Sequence, residues 1–478
     1  MNEWFDAEQH VDRALELFER GRWSEAEQEL RKALALNPDQ PEWHYNLGLT
    51  LEAAGRDAEA LIAFTRATEL LPEEPQPLLA AGMAAARLGR LDDAIRRLHS
   101  VVRLEPKQEL AYAHLIECHI RMGNHDQAET TFYLAQHALE ESGLCYAAIA
   151  ESLAARRLYD RAEWCLREAL RINPSLPRVR GTLGRVYAAS GRSHRALQMY
   201  LRELRDDPGN IDALLDFGDL LFEMGRLPEA AEKFRRVLEL QPANPEAHIR
   251  LGEVALAANR LEQANLEFEL VLKLDPLYPD ARTLLGETLL RRGRIDEARE
   301  CLKLELERLD RVPDSDESHP SSTPPASVRE YADDLARLGK TLLEAGMPED
   351  AARILTLSLE GVPQEVDVLR RLALASFQVG RTKEAVSISR RIVRLDPACI
   401  EAMHNLALAA FNRDRLLVAL AWVQRGRRIS PHDEGLRRLR IRIILRLAAQ
   451  KARKAWANLR TRRARTTPRF PWLRIVRI

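Results

Sequence analysis

Few residues in this chain are spaced for chemistry. His114, Cys118, His119 and His125 crowd one short stretch, and His114 and Cys118 stand four apart, a spacing that puts an imidazole and a thiol on one helical face and could ligate zinc. The other cysteines, Cys145, Cys165, Cys301 and Cys399, are scattered, and no CxxC pair occurs. The five read as small buried hydrophobes in a reducing compartment rather than as a disulfide or metal framework. No GxxxxGK[ST] phosphate loop, GxSxG elbow, HExxH zinc site or GxGxxG turn is present. The expectation is a chain with no catalytic residues, no metal and no cofactor.

Charge is more informative. Lys/Arg and Asp/Glu balance at 72 each, but from Glu434 to the end fifteen basic residues face one acid. The remainder carries 57 basic and 71 acidic residues, so an acidic body adjoins a basic tail. Within that tail Arg453, Lys454, Arg460, Arg462, Arg463 and Arg465 are the candidates for contact with an anionic surface, beside Trp456, Phe470 and Trp472. The first residues, Met1 to Asp6, are acidic and lack the cationic-then-apolar run of a secretory signal, and no stretch approaches eighteen consecutive apolar residues. A cytoplasmic location is expected.

What must position any site is a repeat. Rows of 34 residues starting at Ala7 run nine times without insertion to Val312, and three more start at Ala332, Val366 and Ile400. Column 20 is alanine in all twelve rows, from Ala26 to Ala419. Column eight is small in eleven, Ile116 being the exception, and column 24 is large and apolar in eleven, as in Phe64, Phe132, Phe234 and Phe268. Glycine is usual at column 15 (Gly21, Gly55, Gly89, Gly225), and column 32 is proline in ten rows. Two apolar-periodic runs of about a dozen residues lie in each row, which predicts an antiparallel helix pair. Small columns let the helices approach, the large residue fills the gap, glycine closes the first helix and proline ends the second. His119 falls on column 11, inward in the other rows, which favours a packed helix over a metal site.

This pattern resembles the tetratricopeptide-repeat (TPR) family, whose signature is W-x2-L-G-x2-Y…A-x3-F…P. Row two carries it nearly whole in His44, Leu47, Gly48, Leu51, Ala60, Phe64, Ala67 and Pro72. The resemblance implies an all-α, right-handed superhelical solenoid of about twelve helix-turn-helix repeats, with the first helix of each pair lining a concave groove. The organisation expected is a lead-in over 1–6, nine repeats over 7–312, a Pro/Ser-rich acidic linker over 313–331, three repeats over 332–433, and a basic capping helix with an Arg-rich tail over 434–478. Ile441, Ile444, Ala448, Ala452, Ala455 and Leu459 follow helical steps and are expected to cover the last apolar face.

Family ligand motifs do not carry over. No row has the Lys at column five with Asn at nine of the carboxylate clamp that chaperone-tail binders share, and only Asn46 and Asn405 occupy column six, where sugar-transferring members repeat asparagine. Acid fills the groove columns instead: Glu117, Glu151, Asp212, Asp216, Asp219, Glu223, Glu246, Glu253, Asp280 and Glu287, interrupted by Arg250 and Arg291. Two readings stand beside each other, a solvated acidic surface and a groove focusing negative potential on a basic, extended peptide. The function expected is a non-catalytic scaffold for partner proteins. Its alternative is an adaptor whose basic tail targets partners to an anionic membrane surface or nucleic acid.

Overall fold

The computed structural model describes residues 2–311 and 328–466, with side chains described as far as Trp456. Of the linker expected over 313–331, residues 313–327 lie outside the described residues, as do residue 312 and the final residues from 467, while 328–331 already belong to a helix. The chain divides into two compact units, residues 1–242 and 243–478.

The first unit holds fourteen helices. They are α1 (Asn2–Glu19), α2 (Trp23–Leu36), α3 (Pro41–Ala53), α4 (Asp57–Leu70), α5 (Pro75–Arg87), α6 (Leu91–Leu104) and α7 (Glu109–Arg121). There follow α8 (His125–Ala138), α9 (Gly143–Ala155), α10 (Tyr159–Ile172), α11 (Val179–Ala189), α12 (Ser193–Asp206), α13 (Ile211–Glu223) and α14 (Leu227–Leu240). The second unit begins with α15 (Pro245–Ala257), α16 (Leu261–Leu274), α17 (Ala281–Arg291), α18 (Ile295–Arg311) and α19 (Val328–Glu344). It continues with α20 (Pro348–Gly361), α21 (Val366–Gln378), α22 (Thr382–Leu395), α23 (Ile400–Asn412), α24 (Leu416–Ile429) and α25 (Glu434–Thr466). No strand occurs among the described residues.

Each row is one antiparallel pair, and the columns explain why. All twelve column-20 alanines are fully buried. At column eight the close approach is literal: a Cβ on Gly48 would lie 2.4 Å from the Phe64 ring, and one on Gly252 would lie 2.3 Å from Phe268. Gly218 and Phe234 repeat that contact at 2.4 Å, so the ring of the second helix occupies the place where the first helix has no side chain.

Column 15 is the turn. All twelve residues there have positive φ, nine glycines together with Arg157, Asn259 and Asp414. In eleven rows the next N–H reaches back to the carbonyl five residues earlier, as from Arg226 to Leu221 at 2.8 Å, which satisfies a carbonyl left open at the helix end. Asparagine and aspartate tolerate the left-handed region, whereas arginine gains nothing there. Exposed Arg157, at φ 60°, is therefore a strained position. Replacing Arg157 with glycine is expected to raise unfolding stability by about 1 kcal/mol. A urea titration that shows no gain would contradict this.

In three rows a side chain caps the first helix. Ser142, Asn210 and Asn244 each accept a hydrogen bond from the backbone N–H three residues on, and their helices begin at once. Rows six and nine have Leu176 and Tyr278 at that place, the left-handed conformation falls on Arg178 and Asp280, and α11 and α17 start two residues late.

Rows nine and ten pack together in the second unit although the linker separates them in sequence. Leu302 and Leu306 of α18 share a core with Leu335, Leu338 and Leu342 of α19 and with Leu355 of α20. The Arg299 guanidinium donates to the Ala345 carbonyl at 2.7 Å.

The last helix corrects the sequence reading. Leu436, Leu439 and Ile443 are buried, at 0%, 3% and 0% exposure, whereas Ile441 and Ile444, expected to cover the end of the array, stand 52% and 45% exposed. The cause is the start of α25. Asp433 accepts from the Leu436 N–H at 2.7 Å and sets the helix register, and the Leu436 side chain then seats against Gly426, 2.6 Å from where a Cβ would stand. That register turns the predicted stripe outward.

Candidate functional site

First helices of successive rows contact one another: α7 with α9, α9 with α11 and α11 with α13 in the first unit, α15 with α17, α17 with α19 and α19 with α21 in the second. They therefore line the inner side of each unit, and the groove columns two, six, nine and 13 lie on them.

In the first unit the acids concentrate on α13. Asp212, Asp216, Asp219 and Glu223 follow steps of four, three and four, a single stripe of one helix. Asp212 and Glu223 are exposed, and Asp216 and Asp219 are half-buried. Row six stands next to them with two arginines that the sequence reading passed over. Arg185 lies 3.6 Å from Glu151 and 3.4 Å from Asp216, and Arg178 lies 3.7 Å from Asp212. Together they line a small cleft of about 110 Å³ with Thr182 and Asn210. Burial raises the Glu151 carboxyl above its ordinary value, with Arg185 pulling the other way and the charge of Glu117 adding to the rise, although half of the side chain still meets solvent. Glu117 is near enough to act on Glu151 and is itself paired with His114 at 2.8 Å.

The second unit pairs most of its acids too and buries them further. Glu246 is exposed. Glu253 lies 3.0 Å from Arg250 and 3.4 Å from Arg337, Asp280 lies 2.6 Å from Arg337, and Glu287 lies 2.6 Å from Arg291 and 3.8 Å from Lys340. Arg337 and Lys340 occupy columns six and nine of row ten, so a legible register already pointed to them. The effect is a set of ion pairs internal to this unit, where a basic ligand would have to displace a resident cation.

Asp280 is the most perturbed of these groups. Burial pushes its carboxyl up to about 7, with Arg337 pulling the other way and Asp334 and Glu253 adding to the rise. One carboxylate oxygen is buried without a hydrogen-bond partner. Because the folded form holds the proton up to about pH 7 and an unfolded aspartate releases it near 4, stability from this group is greatest at low pH and falls as pH rises between those values. The Tm advantage of Asp280→Asn over the parent is expected to be larger at pH 8 than at pH 5. An equal difference at both would contradict the assignment.

The histidine and cysteine cluster does not converge. Cys118 and His119 are buried, His125 Nδ1 is 2.9 Å from Ser152 Oγ, and burial lowers the His119 pKa. Among the described residues no group of three or more His, Cys, Asp or Glu side chains is placed to hold a metal ion. All five cysteines are free thiols, and burial pushes Cys118, Cys145, Cys165 and Cys301 up to about 11.

A second concavity, unmarked by any column rule, opens between α8, α9 and α10. It measures about 410 Å³ and is walled by Phe132, Tyr133, Ile149, Leu153, Trp164 and Cys165. Tyr146 bridges Phe132 and Trp164 through edge contacts at 5.3 and 5.7 Å.

On α25, Arg453 and Lys454 are exposed, while the side chains of Arg460, Arg462, Arg463 and Arg465 lie outside the described residues.

Helix pairs of fixed period, each closed by a small-against-large contact between its two helices and stacked on the next, define an all-α helical-repeat solenoid. Family models agree on its kind. The model for the C-terminal domain of cilia and flagella-associated protein 70, itself built of tetratricopeptide repeats, matches residues 72–275, and two tetratricopeptide-repeat models match 11–75 and 279–303. The chain belongs to the tetratricopeptide-repeat family. No curated protein matches the sequence significantly.

Among solved structures, yeast Tom70 is 16% identical, with 94% of this chain and 96% of that one covered at a TM-score of 0.37. A tetratricopeptide repeat protein from Parabacteroides merdae is 18% identical, with 59% and 99% covered at 0.40. A chain of the APC/C hetero-tetramer Cut9-Hcn1 is 15% identical, with 90% and 95% covered at 0.41.

Proposed function

We propose that the chain is a non-catalytic scaffold that binds other proteins, and that it receives a basic, extended peptide segment along the inner helices of its first unit. The observation that carries this is the carboxylate stripe of α13, where Asp212, Asp216, Asp219 and Glu223 fill all four inner columns of one row. Like charges three and four apart weaken a helix, a cost that Arg178 and Arg185 of the neighbouring row offset in part. A row of acids on an inner face gives extended cationic ligands both attraction and register. The free thiols, four of the five buried, suit a reducing compartment, and with it the cytoplasmic location proposed for this chain.

The test is the affinity of a labelled Arg/Lys-rich peptide, measured by fluorescence anisotropy. Replacing the four α13 acids by Asn and Gln is expected to weaken binding by about ten-fold or more. Replacing Glu253 and Glu287 by Gln is expected to change it little, since Arg337 and Lys340 already compensate them. Unchanged affinity after the α13 replacement would end this reading.

A second reading has its own observation. From Lys451 to Trp456 every residue of α25 is exposed, Arg453 and Lys454 included. The proposal is that this basic helix carries bound partners to an anionic surface, membrane or nucleic acid.

A further inference from the structure

The apolar residues of α25 bear on which anionic surface that is. Leu436, Leu439 and Ile443 face the second unit's core, and Gln450 Nε2 donates back to Asp414 Oδ2 at 2.6 Å. At 100° per residue, Ile441, Ile444, Leu445, Ala448, Ala452 and Ala455 fall on the opposite side of the same helix. Leu445 is 65% exposed, beside the half-exposed Ile441 and Ile444. Arg440 and Lys451 border this stripe on one flank and Arg442 and Arg453 on the other, Arg437 stands in line with its start, and Arg446 turns back to Asp414 at 3.0 Å. From Glu434 to Trp456 the helix carries eight basic residues against the single acid Glu434, itself paired with Arg438 at 2.7 Å.

We propose that the outward face of α25 docks flat on an anionic lipid surface, its aliphatic stripe entering the headgroup boundary and its flanking cations meeting lipid phosphates and carboxylates. This rests on the basic-helix reading above and narrows it. A nucleic-acid backbone engages cations and gains nothing from an aliphatic stripe between them, whereas a lipid interface takes both. A second copy of the helix would bring two cationic flanks together, which opposes self-pairing. The mode is peripheral, because no helix among the described residues is long and apolar enough to cross a membrane.

The experiment is flotation of the full chain with phosphatidylcholine vesicles, with and without phosphatidylserine, beside retention on a single-stranded oligonucleotide. Binding is expected only to the phosphatidylserine vesicles, falling about ten-fold in Ile441→Ser/Leu445→Ser and also in Lys451→Gln/Arg453→Gln/Lys454→Gln. Both variants change exposed positions, and circular dichroism checks their helicity. Oligonucleotide retention is expected to be indifferent to the serine variant. Three results overturn the proposal: no binding of the parent to anionic vesicles, equal binding by the serine variant, or a dimer of the parent that the serine variant dissolves. If vesicle binding fails while oligonucleotide retention still depends on the three cations, only the lipid assignment falls. If the glutamine variant alters neither, the basic-helix reading falls with it.

Discussion

Replacing Phe234 with alanine is expected to cost about 3–5 kcal/mol of stability, measured by urea unfolding followed by far-ultraviolet circular dichroism. The ring is fully buried, and it faces Gly218, whose missing side chain leaves nothing on that side to collapse into the void. Ala230, also fully buried, sits one turn earlier on the same helix and cannot swell to fill the space. In a repeat array each row is held by its neighbours, so the loss should appear as earlier melting of the rows around α13 and α14. A change below 1 kcal/mol would mean that these helices are not held by this contact.

The second large effect is on binding. Four carboxylates on one stripe can each meet a cation of an extended ligand, and losing them together is expected to cost about 1.4–2.8 kcal/mol, a ten- to hundred-fold weaker complex. The remaining affinity should also lose most of its dependence on salt, because screening acts on the charges removed. The same replacement should change the stability of the fold little, because the contacts of Arg178 and Arg185 to Asp212 and Asp216 are solvent-screened. It removes like-charged neighbours from α13, and Glu223 stands at the C-terminal end, where a negative charge is disfavoured. A variant that loses both affinity and helicity would instead assign the carboxylates a structural role.

The fold was legible because its determinants are local and recur. Alanine at column 20 and glycine at column eight announce the helix crossing wherever they occur, and the structure buries every one of those alanines. Even the exceptions are informative, since Arg157, Asn259 and Asp414 adopt the left-handed conformation that the row imposes in place of glycine. Arginine at column 16, present in nine rows, was overlooked. It sits just before the second helix, and in four rows it pairs with a glutamate three residues on, as Arg226 does with Glu229 at 2.6 Å. Such exposed pairs contribute little to stability, which is why the fold could be read without them.

The candidate site was less legible for a physical reason. Which carboxylates keep a charge available to a ligand depends on the neighbouring row, not on their own. Asp216 and Glu151 share Arg185, and Asp280 and Glu253 share Arg337, pairings that require rows to be stacked in the mind with their groove columns aligned. The outward stripe of α25 was misassigned for the same kind of reason. Two apolar stripes exist on that helix, and only the seating of Leu436 against Gly426 decides which one turns inward.

The size complementarity of columns eight and 24 carries the account, since it sets the helix pairs that align every inner face. A double-mutant cycle tests it most directly. Gly218→Leu alone should be destabilising by about 1–3 kcal/mol through overpacking, and Phe234→Ala alone by more. Combined, the new leucine occupies the vacated ring position, and the double variant is predicted to be at least 1 kcal/mol more stable than the sum of the single losses implies. Strict additivity of the two losses would show that these columns do not meet, and would contradict the account.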